Sequence, residues 1–78
     1  MSVSLDRNIA KELISFKLRS IQAEISSILE IWRYSSIEDF INDVKLGKLK
    51  EAENDAIDIR HLAEEQDNLM KLLDEIRT

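Results

Sequence analysis

Apolar residues in the first third of the chain recur at alternating steps of four and three positions. They are Ile14, Leu18, Ile21, Ile25, Ile28 and Trp32. An average step of about 3.5 residues is the period at which one helix buries a stripe against another helix. The pattern predicts a first helix from about residue 5 to residue 33. Ser4 or Asp6 can cap the free N–H groups at its start.

A second, shorter pattern follows a break at two serines. Ser35 and Glu38 have the capping-box spacing, in which each side chain accepts a hydrogen bond from the other's backbone. Gly47 suits the left-handed conformation that ends many helices. A short helix is therefore expected over about 36–46. The apolar face of this helix would consist of Ile37, Phe40, Ile41 and Val44.

The last third of the chain repeats the three-four rhythm and predicts a helix over about 52–77. Its seam residues are Ile59, Leu62, Gln66, Leu69, Leu73 and Ile76. The fold class is therefore all-α, with residues 1–78 as a single helical domain. We expect a long-short-long helical hairpin whose long helices run antiparallel. Trp32 should lie at its turn end, near Phe40 and Ile41.

The first helix carries a second apolar set outside its main seam. Its members are Leu5, Ile9, Leu13 and Phe16, which lie roughly opposite or beside the seam at 100° per residue. One helical partner covers only one stripe, and an apolar face left open usually marks an interface. We therefore predict that these residues form an interface, and that two chains pair into a symmetric dimeric bundle.

Trp32 and Tyr34 allow two interpretations. Both residue types are favoured as anchors of protein–protein interfaces, which would add them to the predicted interface. Alternatively, they plug the end of the core, with the indole N–H and the phenol hydroxyl reaching water.

The composition narrows the possible classes of protein. With 44% hydrophobic and 35% charged residues, the 78-residue chain suits a packed helical domain rather than a disordered one. Its net charge of −5 argues against nucleic-acid binding. The negative charge is concentrated after residue 33, where the chain has twelve acidic and six basic residues. This acidic part could bind a basic partner.

The same composition bears on compartment and source. The absence of cysteine excludes disulfides and thiolate metal sites. No leader peptide or bilayer-length apolar stretch is evident, so a cytoplasmic protein without membrane attachment is expected. Abundant isoleucine and dense charges of both signs lean towards a thermophilic source.

Candidate chemistry is sparse. Asp58, His61 and Glu65 are spaced to share one face of the third helix, and a carboxylate-x-x-His step occurs in di-metal helical bundles. Metal or small-ligand binding is therefore the alternative function, although a solvated polar face explains the same residues. With one glycine and one histidine, the chain has no phosphate loop and no nucleophile–base pattern. We expect no enzyme activity and no cofactor.

The segment WRYSSIEDFINDVK at residues 32–45 and the segment GKLKEAENDAI at residues 47–57 resemble stretches of small archaeal helical proteins of uncharacterised families. Some of these proteins are similar to the antitoxin partners of toxin–antitoxin pairs. The resemblance implies a small acidic helical protein that masks a toxin. The chain has no separate DNA-binding domain of the kind many antitoxins carry. We therefore predict a non-enzymatic module that associates with itself and with a protein partner.

Overall fold

The computed structural model describes residues 6–77, and the described part of the chain is all-α. Helix α1 spans Arg7–Trp32, helix α2 spans Ile37–Lys45 and helix α3 spans Glu53–Arg77. A single 3₁₀ turn, Lys50–Ala52, leads into α3. The predicted order of long, short and long helices is confirmed, and each helix begins and ends within about two residues of the predicted position.

The two long helices form an antiparallel hairpin. Near the turn, the Trp32 indole nitrogen donates a hydrogen bond to a carboxylate oxygen of Asp55 at 2.8 Å. Further along, the Lys17 ammonium lies 3.7 Å from the Glu65 carboxylate. The end of α1 therefore lies beside the start of α3 and the middles of the two helices lie side by side, as antiparallel packing requires. The resulting rod measures 54 × 22 × 17 Å.

The core lies in the half of the hairpin next to the turn, because α2 packs there against both long helices. Small residues Ala52 and Ala56 allow close approach of the chain segments, and the ring of Phe40 fills the centre. The other half, called here the open half, consists of α1 and α3 alone. The buried core cluster is formed by Ile21, Ile25, Phe40, Ala52, Ala56 and Ile59.

The main seam of α1 faces this core as the period predicts. Ile14, Ile21 and Ile25 are buried, whereas the remaining seam residues are half-buried. Trp32 and Phe40 are stacked with ring centroids 6.3 Å apart, which confirms the predicted placement of Trp32 at the turn end.

The helix starts match the predicted caps in one case and differ in the other. The Asp6 side chain accepts a hydrogen bond from the backbone N–H of Asn8 and caps α1. The predicted pairing of Ser35 with Glu38 at the start of α2 is wrong. The Ser36 hydroxyl accepts from the N–H of Asp39 instead, at 3.1 Å. The chain uses one more residue than expected to leave α1 and turn back, so the cap moves by one position.

Both α1 and α2 end in a left-handed residue. Gly47 has φ of +79°, and the N–H of Lys48 donates back to the carbonyl of Asp43, which completes a Schellman motif. Arg33 occupies the same position after α1 with φ of +61°. There the N–H of Tyr34 donates to the carbonyl of Leu29 at 2.8 Å. The glycine was predicted from sequence, whereas the arginine was not.

Replacing Arg33 with glycine should stabilise the protein. A non-glycine residue in this conformation costs about 1–2 kcal/mol, and glycine's larger unfolded-state entropy offsets part of the gain. We expect the free energy of unfolding to rise by about 0.5–1 kcal/mol in urea denaturation.

The matched control is Gly47→Ala, because an added Cβ there meets no atom within 4 Å and only the backbone conformation opposes it. That variant should lose stability. If Arg33→Gly also loses stability, the left-handed conformation of Arg33 does not destabilise the protein.

Candidate interaction surface

The predicted second apolar set lies on the surface of the open half. Ile9 is 47%, Leu13 is 57% and Phe16 is 67% exposed. Leu5 lies outside the described residues. Because α2 packs near the turn, about half or more of the surface of each of these three residues stays open to solvent in residues 6–77. The open half therefore presents apolar side chains to solvent, as their angular positions on α1 predict.

The exposed set continues beyond the residues named from sequence. Steps of four, three, four and four from Phe16 lead to Ser20, Ala23, Ser27 and Ile31, each of them exposed. The seven positions fall within an arc of about 80° on α1, turned by about 130° from the core-facing seam. No charged residue falls within this arc. We call the following residues the back stripe: Ile9, Leu13, Phe16, Ser20, Ala23, Ser27 and Ile31.

The small residues explain why sequence reasoning missed the second part of the back stripe. Serine and alanine do not register as an apolar pattern, so the rhythm is lost after Phe16 when only large residues are counted. Ile31, at 69% exposed, shows that the stripe resumes at the turn end. The signal that could have found it is an uncharged alternation of four and three steps that continues to Ser27, with Ile31 one further step of four beyond it.

Helix α3 adds to the apolar surface of the open half. The Lys17–Glu65 ion pair marks one side of the hairpin. Leu13 lies four residues before Lys17, and Leu72 lies seven residues after Glu65, so both are on that side. Leu72 is exposed, as is Met70 on a different face of α3. Exposed apolar residues therefore occur on both long helices of the open half.

An open groove of about 660 Å³ lies between α1 and α3, and the small residues of the back stripe form part of its α1 wall. Its α3 wall contains the three predicted metal-ligand candidates, Asp58, His61 and Glu65. Its α1 wall contains Glu24 and the small residues Ser20, Ala23 and Ser27, and its apolar lining is Ile28 and Leu62.

The groove does not assemble a metal centre from the candidate residues. Within residues 6–77, no three histidine, cysteine or carboxylate side chains are grouped so that they could hold a metal ion. The metal-binding alternative therefore has no group of ligands to support it in this part of the chain. What the groove does provide is an acidic wall next to an uncharged stripe.

Trp32 and Tyr34 are half-buried and pack against the core cluster. The Tyr34 ring meets Phe40 edge to face, with centroids 5.5 Å apart. The indole N–H binds Asp55, and the Tyr34 hydroxyl donates to Asp43 at 2.6 Å. Both polar atoms therefore have carboxylate partners within the chain, which the sequence did not indicate. An interface role for the two rings stays a prediction.

The hydrogen bond from Tyr34 to Asp43 raises the pKa of the Tyr34 phenol above its usual value of 10.0, helped by desolvation and by the nearby carboxylate charges. The neutral phenol is the form that donates the hydrogen bond. Its contribution to folding is thus complete below pH 10 and is lost as the pH rises through the raised pKa.

Titration of the phenol should detect this contact directly, because Tyr34 is the single tyrosine of the chain. We expect the ultraviolet absorbance of the tyrosinate to appear with a midpoint above pH 10 in the folded protein. Asp43→Ala should move the midpoint down towards 10, and Asp39→Ala should move it less, because the Asp39 charge is the smallest cause of the shift. An unshifted midpoint in the unaltered protein would contradict the contact.

In the part of the chain described, no helix combines the length and apolar character needed to cross a membrane. Comparison of the chain with models of known families, with curated proteins and with solved structures finds no match. The functional argument therefore depends on the geometry and charge of the surface itself.

Proposed function

We propose that this protein is a non-enzymatic, cytoplasmic interaction module that associates with itself and with a protein partner. The observation that carries the proposal is the exposure of Ile9, Leu13 and Phe16 on the open half. A helix with apolar residues on two sides gains stability when both sides are covered. In this hairpin α3 covers one side, and α2 reaches only the turn half.

The size of the chain supports the same proposal. A domain of about 60–80 residues buries only about 60% of the surface that its unfolded chain exposes, so it gains much from association. The described hairpin is elongated, at 54 × 22 × 17 Å, and only its turn half has three packed helices. Association along the open half would add the missing third layer.

Masking of a toxin is one specific version of the partner-binding role. It is supported by the resemblance over roughly residues 30–60 and by the acidic groove wall, which suits a basic partner surface. Co-expression with the product of a neighbouring gene tests this version. Recovery of a stoichiometric complex is the expected result, and its absence would remove the toxin-masking version without affecting self-association.

Sedimentation velocity of the full chain tests self-association. Between about 1 µM and 100 µM, where interfaces of moderate affinity dissociate, the weight-average mass should rise from monomer towards dimer. A monomer across the whole range would contradict the self-association half of the proposal.

A further inference from the structure

We infer that two copies of the chain pair through the back stripes of their α1 helices, running antiparallel with Ser20 at the centre. This inference rests on the proposed self-association and assigns its geometry. It differs from a bundle in which two hairpins meet groove to groove. Three observations carry it: the absence of charge on the stripe, the difference in charge between α1 and α3, and the order of large and small residues.

The charges of the two long helices favour α1 as the occupant of the back stripe. Helix α1 has four basic and three acidic residues, whereas α3 has three and eight. A helix laid on the stripe lies beside the groove, whose far wall presents Asp58 and Glu65. The nearly neutral α1 of a second copy is not repelled by this acidic wall. The acidic α3 of a second copy would be repelled by it.

Groove-to-groove packing is opposed by the same charges. It would bring Glu24, Asp58 and Glu65 of one copy towards the same acidic residues of the other. The back stripe has no such cost, because its seven positions are uncharged. Acidic and basic residues both flank the stripe, so its edges do not carry charge of a single sign that would repel a second copy. These edge residues are Glu12, Lys17, Arg19, Glu24 and Glu30.

The order of residue sizes selects the antiparallel direction. About a two-fold axis at Ser20, Leu13 lies level with Ser27 of the second copy, and Phe16 lies within one residue rise, about 1.5 Å, of Ala23 of the second copy. Large side chains thus enter spaces left by small ones, which is the packing that buried interfaces require. A parallel pair would set Phe16 against Phe16 and leave gaps at the serines. At the two ends of the antiparallel pair, Ile9 meets Ile31.

Engineered cysteines test the direction cleanly, because the chain has none of its own. In the antiparallel pair, Ser20→Cys brings two thiols to the axis and should cross-link almost completely under mild oxidation. The matched variant Ser27→Cys places its two thiols about 21 Å apart along the axis, too far for a disulfide. Cross-linking is read from non-reducing gels and intact mass.

Every outcome of this pair of variants decides the inference. Cross-linking of Ser20→Cys alone supports it. Cross-linking of both variants indicates a parallel pair and overturns it, and cross-linking of Ser27→Cys alone places the axis away from Ser20 and overturns it as well. A dimer in sedimentation that neither variant cross-links places the interface elsewhere; it overturns the inference but leaves the proposed function standing. A monomer in sedimentation overturns both.

A size swap provides an independent measurement at the predicted contact. Phe16→Ala removes the large residue of the contact. Ala23→Phe blocks the space that Phe16 of the second copy enters. Each single variant should therefore weaken the dimer at least ~10-fold. The double variant exchanges the two sizes across the axis and should recover to within about threefold of the unaltered chain. A double variant as weak as the product of the single effects would overturn the proposed contact.

Discussion

Phe40→Ala is expected to cost about 3–5 kcal/mol of folding free energy, the range for removing a fully buried phenylalanine. A chain of this length has a total stability of about 4–12 kcal/mol, so the variant should lose a quarter of it or more. Phe40 is completely buried, and its ring contacts both Trp32 and Tyr34. Its loss would remove the one α2 side chain that is buried in the core cluster of the described residues.

Urea denaturation followed by far-ultraviolet circular dichroism measures this effect. The fluorescence of Trp32, the single tryptophan of the chain, gives a second probe at the site of the change. Phe40→Leu should cost less than Phe40→Ala because it keeps most of the side-chain volume, and the order of the two variants distinguishes lost packing from lost aromaticity.

The chain provides a matched control in its other phenylalanine, Phe16, which is 67% exposed. At concentrations where the chain is monomeric, Phe16→Ala should change the free energy of unfolding by no more than about 0.5 kcal/mol. Equal losses of unfolding free energy from Phe40→Ala and Phe16→Ala would contradict the fold, in which Phe40 is buried and Phe16 is exposed.

The long-range plan of the fold could be predicted because it depends on periodicity. The burial of Ile14, Ile21 and Ile25 follows from their spacing alone, since a stripe at 3.5 residues must face a second helix. The proximity of Trp32 to Phe40 follows from the shortness of α2, which leaves the turn little freedom. The exposure of Phe16 follows from its angle on α1 and the narrowness of a single helical contact.

Details at the turn could not be predicted, because they depend on how the chain leaves one helix and enters the next. The left-handed conformation of Arg33 has no sequence signal, since glycine or asparagine is the residue that normally indicates it. The pairing of Trp32 with Asp55 joins residues 23 positions apart and requires the actual crossing of α1 and α3. The choice of Ser36 over Ser35 depends on the same turn.

The candidate interaction surface was half predictable for a related reason. Hydrophobic patterning finds Ile9, Leu13 and Phe16, yet it is blind to exposed small residues whose importance lies in the space they leave. Ser20 and Ala23 gain meaning only once the structure shows them on the same exposed arc as Phe16. Surfaces built from large residues beside small ones therefore need coordinates before they can be recognised.

Phe16→Glu is expected to abolish the dimer in the micromolar range, raising its dissociation constant by about 100-fold or more. The change places a carboxylate at Phe16, the most exposed large residue that the back stripe has in the open half. Two-fold symmetry puts this carboxylate in each dimer twice. Burying an unpaired charge opposes association, whereas in the monomer the glutamate remains in water. Sedimentation velocity and its concentration dependence measure the change.

The control for Phe16→Glu is Ile57→Glu, which adds the same charge at a residue that is 52% exposed on α3, away from the back stripe. This variant should keep the dimer and, like Phe16→Glu, retain its helical circular dichroism. Comparable dissociation by both variants would assign the effect to net charge rather than to the stripe. A dimer that survives Phe16→Glu would show that the exposed face of α1 is not where the copies meet, because no interface centred on that stripe tolerates two buried carboxylates.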